Sequence, residues 1–575
     1  MDHYRPSLED TAFLLFDVLD APARWQALPP HAATDADLAR QVLEEAASFV
    51  AGRIAPLQRE GDEIGCRFER ETGDVVTPPG FADAYRDFWQ AGWPGLSCEE
   101  ADGGQGLPWL LEGVLYEWLS AANHGWTMAP GLLHGAYECL RHHADAALRE
   151  TWLPKVASGE WLATMCLTES HAGSDLGLVR TRATPQPDGS LRVSGSKIFI
   201  SGGEHDLTDN IVHLVLGRLP DAPPGPKGLS LFLVPKVLAD GSRNAVYCER
   251  IEEKMGLHGS PTCAMRFDDA TGWLVGEPQR GLSAMFVMMN AARLHVGLQG
   301  VGLLDAAWQK ADAYARERRQ MRAPLRATAG GGGAAAAPPA DLLADHPAMR
   351  RILDTQRAWI DGGRLLAYRT ALALDEARHH PDAATRARAE RWCALATPVL
   401  KSAWTAQAFT GASECLQVFG GHGYIREWGI EQIVRDARVT MIYEGTNEIQ
   451  AIDLLIRKVL PDRGEALAGW LADVVADLRD DERAARRLQP LVAQLTEATE
   501  RLCAGAADDP ALPYRVADDY LRAVAVLLMT WAWERIGAVA RPGDARWSVP
   551  AEAMRLRVQP EFGFRLALVK GQVAG

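Results

Sequence analysis

Arg435-Asp-Ala-Arg-Val-Thr-Met-Ile-Tyr-Glu-Gly-Thr-Asn-Glu-Ile-Gln450 is the most informative stretch of this chain. Asn447 followed by Gln450 has the spacing of a capping box, and Ile449, Ile452, Leu455 and Ile456 then supply the apolar stripe of a helix. Glu444 is therefore expected in a tight turn just before a helix. A carboxylate between Ile442-Tyr443 and Gly445 can be partly desolvated, which raises its pKa and strengthens it as a base toward a carbon acid. Taken alone, a surface glutamate at a helix start would be the commoner reading.

Working outward, the apolar spacing is helical from Ala36 to about Glu160, as in Leu43-Ala46-Ala47-Val50 and Leu111-Leu115-Trp118-Leu119. Between Trp161 and Val275 the pattern turns to β. Asp188-Gly189 reads as a hairpin turn, and Ile211 to Leu216 and Leu229 to Val234 are short β-rich runs. Helical spacing resumes at Gly281 through Met285, Met288, Met289 and Leu294. The segment Ala327 to His346, with Gly330 to Gly333 and Pro338-Pro339, reads as an exposed loop. After Pro461, a region with Trp470, Trp531 and Trp533 reads as an additional packed bundle, with a break at Ala507-Asp-Asp-Pro510. The expected class is α+β, with an N-terminal extension (1–35), a helical domain (36–160), a β-barrel-like domain (161–280), a helix bundle (281–460) and an extra helical domain (461–575).

Composition narrows the function. The 575 residues, 47% apolar and 23% charged, make a multi-domain globular protein and exclude a small binding module. The formal charge of -15 argues against general affinity for nucleic acid or anionic lipid. Nine scattered cysteines without a CxxC pair argue against a zinc site or a disulfide framework, so no metal is expected and a reducing cytoplasm fits best. No run approaches the ~18 apolar residues of a membrane span.

The Tyr443-Glu444-Gly445-Thr446 turn resembles that of the acyl-CoA dehydrogenase family, and further segments extend the resemblance in the expected order. Met165 to Asp175 is similar to the family's flavin segment and Lys197 to Gly202 to its second flavin strand. Tyr314 to Gln320 and Leu416 to Tyr424 match two later segments. The resemblance covers roughly Ala36 to Leu460. It implies FAD held by Met165, Leu167, Thr168, Phe199, Ile200 and Ser201, with Thr446 and Asn447 nearby. Arg318, Gln320, Gln417, Gly420 and Gly421 would meet the nucleotide half across a subunit boundary. Ser174, Asn290, Arg293 and Gly445 would lie along the acyl-CoA substrate.

The implied reaction is α,β-desaturation of an acyl-CoA, Glu444 taking the α-proton while hydride passes from the β-carbon to flavin N5. Some family branches place the base immediately before the arginine matching Arg293; that position is Ala292 here, which leaves Glu444. Ser170, Phe199 and Met321-Arg322 depart from the usual family residues. With the Glu204 to Asn210 and Lys254 to Cys263 runs and the C-terminal region, they resemble the subgroup that includes 3-methylmercaptopropionyl-CoA dehydrogenase. His205 and His258 would line the substrate entrance or serve structure. The implied partners are an acyl-CoA substrate, electron-transfer flavoprotein, and further copies of the chain in a homodimer or homotetramer. Acyl length stays open, as do an acyl-CoA oxidase and, ranked lower, a DNA-associated relative.

Overall fold

The computed structural model describes residues 3–324, 339–478 and 481–573, without the side chains of Asn290 and Ala291. The Gly330 segment expected as a loop falls largely outside the described residues. The chain divides into two compact units, Ser48–His295 and a second made of Met1–Ala47 with Val296–Gly575.

The Ser48–His295 unit begins with helices, among them Phe81–Gln90, Trp109–Thr127, Leu133–His143 and Ala146–Ala157. A two-stranded ribbon of β1 (Arg67–Phe68) and β2 (Val75–Val76) lies among them. The seven-stranded sheet that follows consists of β3 (Leu162–Cys166), β4 (Arg182–Pro185), β5 (Leu191–Ser201), β6 (Ile211–Gly217), β7 (Ser230–Pro235), β8 (Val246–Ile251) and β9 (Thr262–Val275). Its order is β3-β6-β7-β9-β5-β4, with β8 added on β9. All pairs are antiparallel except β3 with β6. The sheet curls until β4 meets the end of β6 through the bridge Arg182↔Arg218, so the barrel-like expectation describes its shape. The hairpin at Asp188-Gly189 joins β4 to β5 with Pro185 opposite Leu191. β6, Ile-Val-His-Leu-Val-Leu-Gly, is buried at every position, as a central strand with two covered faces must be.

Helix Gly281–Glu317 starts in this unit. Gly135 lets it approach, because a Cβ there would lie 2.8 Å from Met288 Cγ. Inside this helical layer lies a polar cluster. Ser97 and His134 both donate to Glu112 Oε2, the latter through Nδ1 at 3.1 Å. Trp109 Nε1, which can only donate, sits 2.9 Å from His134 Nε2 and so fixes that tautomer. Burial alone would raise Glu112, but His134 holds its carboxyl below the usual range.

Four buried histidines of this unit give it a pH response. Burial pushes His124, His205 and His213 down to about 3, with Lys236 adding to the effect on the last two and Arg243 on His213. Burial also takes His295 to about 4 against the pull of Glu112. Their native values lie below the unfolded ~6.5, so below that pH the unfolded chain takes up protons that the native unit refuses. Their contribution is complete above pH ~6.5 and is lost downward at ~1.4 kcal/mol per pH unit for each histidine. Thermal melting should fall steeply from pH 7 to pH 5; an unchanged midpoint over that range would contradict the assignment.

In the second unit, helices Pro347–His379 and Ala383–Val418 pack against each other and carry the C-terminal helices Glu465–Ala476, Glu482–Asp508, Leu512–Val539, Ala545–Ala553 and Pro560–Val573. The break expected near Asp508 is present, between the second and third of these. The tryptophans expected to mark a bundle are all buried: Trp470 and Trp531 meet Trp392, and Trp533 Nε1 donates to Ala358 O at 3.0 Å. The N-terminal segment packs into this unit. Tyr4 donates to Asp305 at 3.1 Å, and Arg546 Nε donates to Asp10 at 2.9 Å. Among the described residues no helix is long and apolar enough to cross a membrane.

Candidate active site

Site residues expected from the sequence fall in both units, and each half has its own geometry. In the Ser48–His295 unit, Met165 is near the end of β3, and Leu167 and Thr168 follow directly after it, all half-buried. This segment is pinned to β5. Ile198 N donates to Thr168 O at 2.9 Å, and the fully buried Lys197 donates to both Leu167 O and Glu169 Oε1 at 2.9 Å. Glu169 also accepts from Thr181 Oγ1 and from the backbone N–H groups of Arg180 and Thr181. Burial raises a carboxyl, but Lys197 and Thr181 hold Glu169 below the usual range. Lys197 and Glu169 were not singled out from the sequence; a lysine and a glutamate on flanking β segments carry no local sign of pairing.

Between Lys197 and Ile200 the β5–β9 register shifts, a bulge that turns the chain. Phe199 sits in it with φ +60° and is 61% exposed, an apolar residue offered outward. Ile200 is buried opposite Cys263, and Ser201 is half-buried opposite Thr262. Ser174 is exposed and Arg293 buried; the side chain of Asn290 lies outside the described residues. The two histidines considered for the entrance have structural partners. His205 is buried and His258 bonds Asp62 O at 3.1 Å and Lys254 O at 3.0 Å.

In the second unit, Arg318 to Gln320 and the turn around Gly420 are brought together by aromatic packing. Tyr314, one turn before Arg318, stacks on Phe419 with centroids 4.3 Å apart and bonds His422 Nδ1 at 2.8 Å; His422 stacks on Trp428. Arg318, Gln320, Gln417, Gly420 and Gly421 are all exposed, and no atom lies within 4 Å of where a Cβ on either glycine would be. Met321 at 80% and Tyr424 at 86% exposure flank them.

Glu444 occupies the turn between helices Ile430–Thr440 and Asn447–Ile452, half-buried. Its φ is +54° and that of Gly445 is +85°, two successive left-handed residues. A glutamate pays ~1–2 kcal/mol for this conformation and a glycine does not. Tyr443 beside it donates to Gln299 Oε1 at 2.7 Å; burial and the Glu444 carboxylate push its phenol up. The helix cap differs from expectation: Thr446, not Asn447, is the N-cap and accepts from Ile449 N at 3.3 Å. Asn447 is inside the first turn because its amide is buried against Lys401 and Ser402, and Gln450 bonds the carbonyl of Glu444 instead of closing a capping box. Gly445→Ala places a Cβ in a left-handed residue 2.9 Å from Gln450 Nε2. Turnover should fall by about 100-fold or more, the scale of a small misplacement of a catalytic group, with the melting temperature lowered only slightly; steady-state rates and calorimetry measure the two.

The residues present fit a flavin: an outward aromatic ring beside the hydroxyl-bearing Thr168 and Ser201 in one unit, and an open glycine turn beside exposed arginine and glutamine in the other. The chain matches three consecutive family models, the N-terminal domain of acyl-CoA dehydrogenase over residues 37–160, the middle domain over 164–270 and the C-terminal domain over 338–459. It belongs to the acyl-CoA dehydrogenase family. Members of this family are flavin-dependent oxidoreductases that use FAD. Among curated relatives, 3-methylmercaptopropionyl-CoA dehydrogenase of Ruegeria pomeroyi is 40% identical over 95% of this chain and 93% of its own. A broad-specificity linear acyl-CoA dehydrogenase of Mycobacterium tuberculosis is 34% identical over 94% and 91%. Among solved structures, Caenorhabditis elegans ACDH-11 in complex with C11-CoA superposes with a TM-score of 0.75 at 18% identity, covering 98% of this chain and 93% of that one. An acyl-CoA dehydrogenase of Bacillus anthracis complexed with FAD gives 0.71 at 20% identity, covering 93% and 88%. With 98% and 93% of this chain covered, the last two carry the shared fold beyond residue 459 into the C-terminal helices.

Proposed function

We propose that this acyl-CoA dehydrogenase desaturates an acyl-CoA thioester between its α- and β-carbons, with Glu444 as the base. The observation that carries the reading is Glu444 itself, held in a left-handed turn before a helix. Such strain persists where surrounding structure over-determines it, commonly at functional sites. The Glu444 carboxylate takes the α-proton as the C–H bond breaks, and its backbone N–H donates to the thioester oxygen, where charge develops. One such donor is worth ~3–4 kcal/mol. FAD, when bound, supplies the acceptor for the hydrogen and electron pair leaving the β-carbon. Thr168, Ser201, Leu167 and Met165 orient it, Ile200 backs them, and Phe199 covers its ring. Arg318, Gln320, Gln417, Gly420 and Gly421 bind the nucleotide half of a cofactor carried by a second copy of the chain, while Thr446 and Asn447 lie near the cofactor that the chain itself carries. Ser174, Asn290, Arg293 and Gly445 border the substrate.

The 40% identity to the Ruegeria enzyme over 95% of the chain favours 3-methylthiopropionyl-CoA as substrate, and the mycobacterial relative supports straight-chain acyl-CoA as the second reading. Electron-transfer flavoprotein reoxidises the enzyme, and the exposed Met321, Tyr424 and Ile425 fit burial in a homodimer or homotetramer. The test is anaerobic bleaching of the flavin band after reconstitution with FAD, using 3-methylthiopropionyl-, butyryl- and octanoyl-CoA. Fastest bleaching by the methylthio substrate supports the assignment. Equal rates favour the second reading, and a protein that takes up flavin yet bleaches with none of the three loses the substrate class.

A further inference from the structure

The turn that carries Glu444 is clamped at three points, all within the second unit. Its base is closed by Asn447 N–H donating to Met441 O at 3.1 Å. Its tip is held by the fully buried Gln450, whose Nε2 donates to Glu444 O at 3.1 Å. The third point is on the helix Ala383–Val418. There Lys401 is 0% exposed, a rare position for a lysine, and its Nζ donates to Asn447 Oδ1 at 3.0 Å.

The donor chemistry leaves one arrangement. An ammonium can only donate, so the Asn447 atom facing it is Oδ1; Nδ2 then donates to Ser402 O at 3.1 Å, which can only accept. Asn447 and Gln450 are three residues apart on one helix and so lie on neighbouring positions of the same face. Lys401 thus fixes Asn447, and Gln450, three residues on in the same helix, fixes the carbonyl of the left-handed Glu444.

We propose that Lys401, Asn447 and Gln450 are positioning residues that hold Glu444 in its left-handed conformation before substrate arrives. The inference rests on the reading of Glu444 as the base. A carboxylate preset in this way needs no rearrangement at the moment of proton transfer, and misplacement by about 1 Å costs on the order of 100-fold in rate.

The experiment compares FAD-loaded wild type with Gln450→Leu, Lys401→Met, their double variant and Glu444→Gln. Flavin bleaching is followed at saturating acyl-CoA, together with half-saturating concentration, FAD content and melting temperature. Gln450→Leu and Lys401→Met should each lower the limiting rate by about 10-fold to 100-fold, with half-saturation within about threefold and FAD content unchanged. Because both act through one clamp, the double variant should lose less than the product of the two. A merely structural role would lower the melting temperature or FAD content and leave the rate per bound flavin intact. If Lys401→Met does not fold, Gln450→Leu decides. A Gln450→Leu rate within about twofold of wild type, with Glu444→Gln inactive, overturns the clamp alone. A Glu444→Gln variant as fast as wild type overturns the reading beneath it.

Discussion

Glu444→Gln should retain FAD and bind acyl-CoA with nearly unchanged affinity, yet reduce its flavin between about 100-fold and 10,000-fold more slowly, the range for loss of a general base. The substitution is nearly isosteric and keeps the carbonyl that accepts from Gln450, so the turn survives. What goes is the group that takes the α-proton. No other carboxylate is expected to take over, since the position used by some relatives is Ala292, buried and without a titratable group. Stopped-flow absorbance of the flavin band measures the effect directly.

The second large effect concerns stability. Asp361 has no exposed surface and accepts from both Arg546 Nη atoms, at 2.8 and 2.9 Å, and from Arg357 Nε at 3.1 Å. Arg364 donates to the equally buried Asp305 at 2.6 Å, and Asp10 completes a balanced set of three aspartates and three arginines. Burial alone would raise the Asp361 carboxyl, but Arg357 and Arg546 hold it below the usual range. Asp361→Asn leaves three arginines facing only Asp10 and Asp305, with Arg357 and Arg364 buried and Arg546 half-buried, a loss of ~3–5 kcal/mol, read as a melting point several degrees lower. The exposed Arg486–Glu482 pair is the control, and breaking it should cost less than ~1 kcal/mol. Since the native pKa of Asp361 is depressed, its contribution is present above pH ~4 and is lost as pH falls through the native value.

Much of this architecture is legible in local sequence because its determinants are local. The Asp188-Gly189 hairpin, the continuous apolar runs of β6 and β7, the break near Asp508 and the glycine after Glu444 each follow from neighbouring residues. What escapes such reading depends on partners far along the chain. Thr446 displaces Asn447 as the cap only because the Asn447 amide is claimed by Lys401 and Ser402 from another helix. Glu112 and His134 read as stray polar residues in apolar helices until Trp109 and Ser97 surround them. The N-terminal segment gives no local sign that Tyr4 and Asp10 meet Asp305 and Arg546. At the site, residue chemistry pointed to Glu444 and the family resemblance to Phe199, whereas the left-handed backbone of both and the bulge that turns Phe199 outward needed the fold.

The central claim is that Glu444 removes an α-proton from an acyl-CoA. Its most direct test is anaerobic single-turnover flavin reduction with acyl-CoA carrying hydrogen or deuterium at the α-carbon, in wild type and in Glu444→Gln. The account predicts a primary isotope effect on a fast wild-type phase and near-complete loss of that phase in the variant. Equal rates for the two isotopologues, together with equal rates for the two proteins, would contradict it.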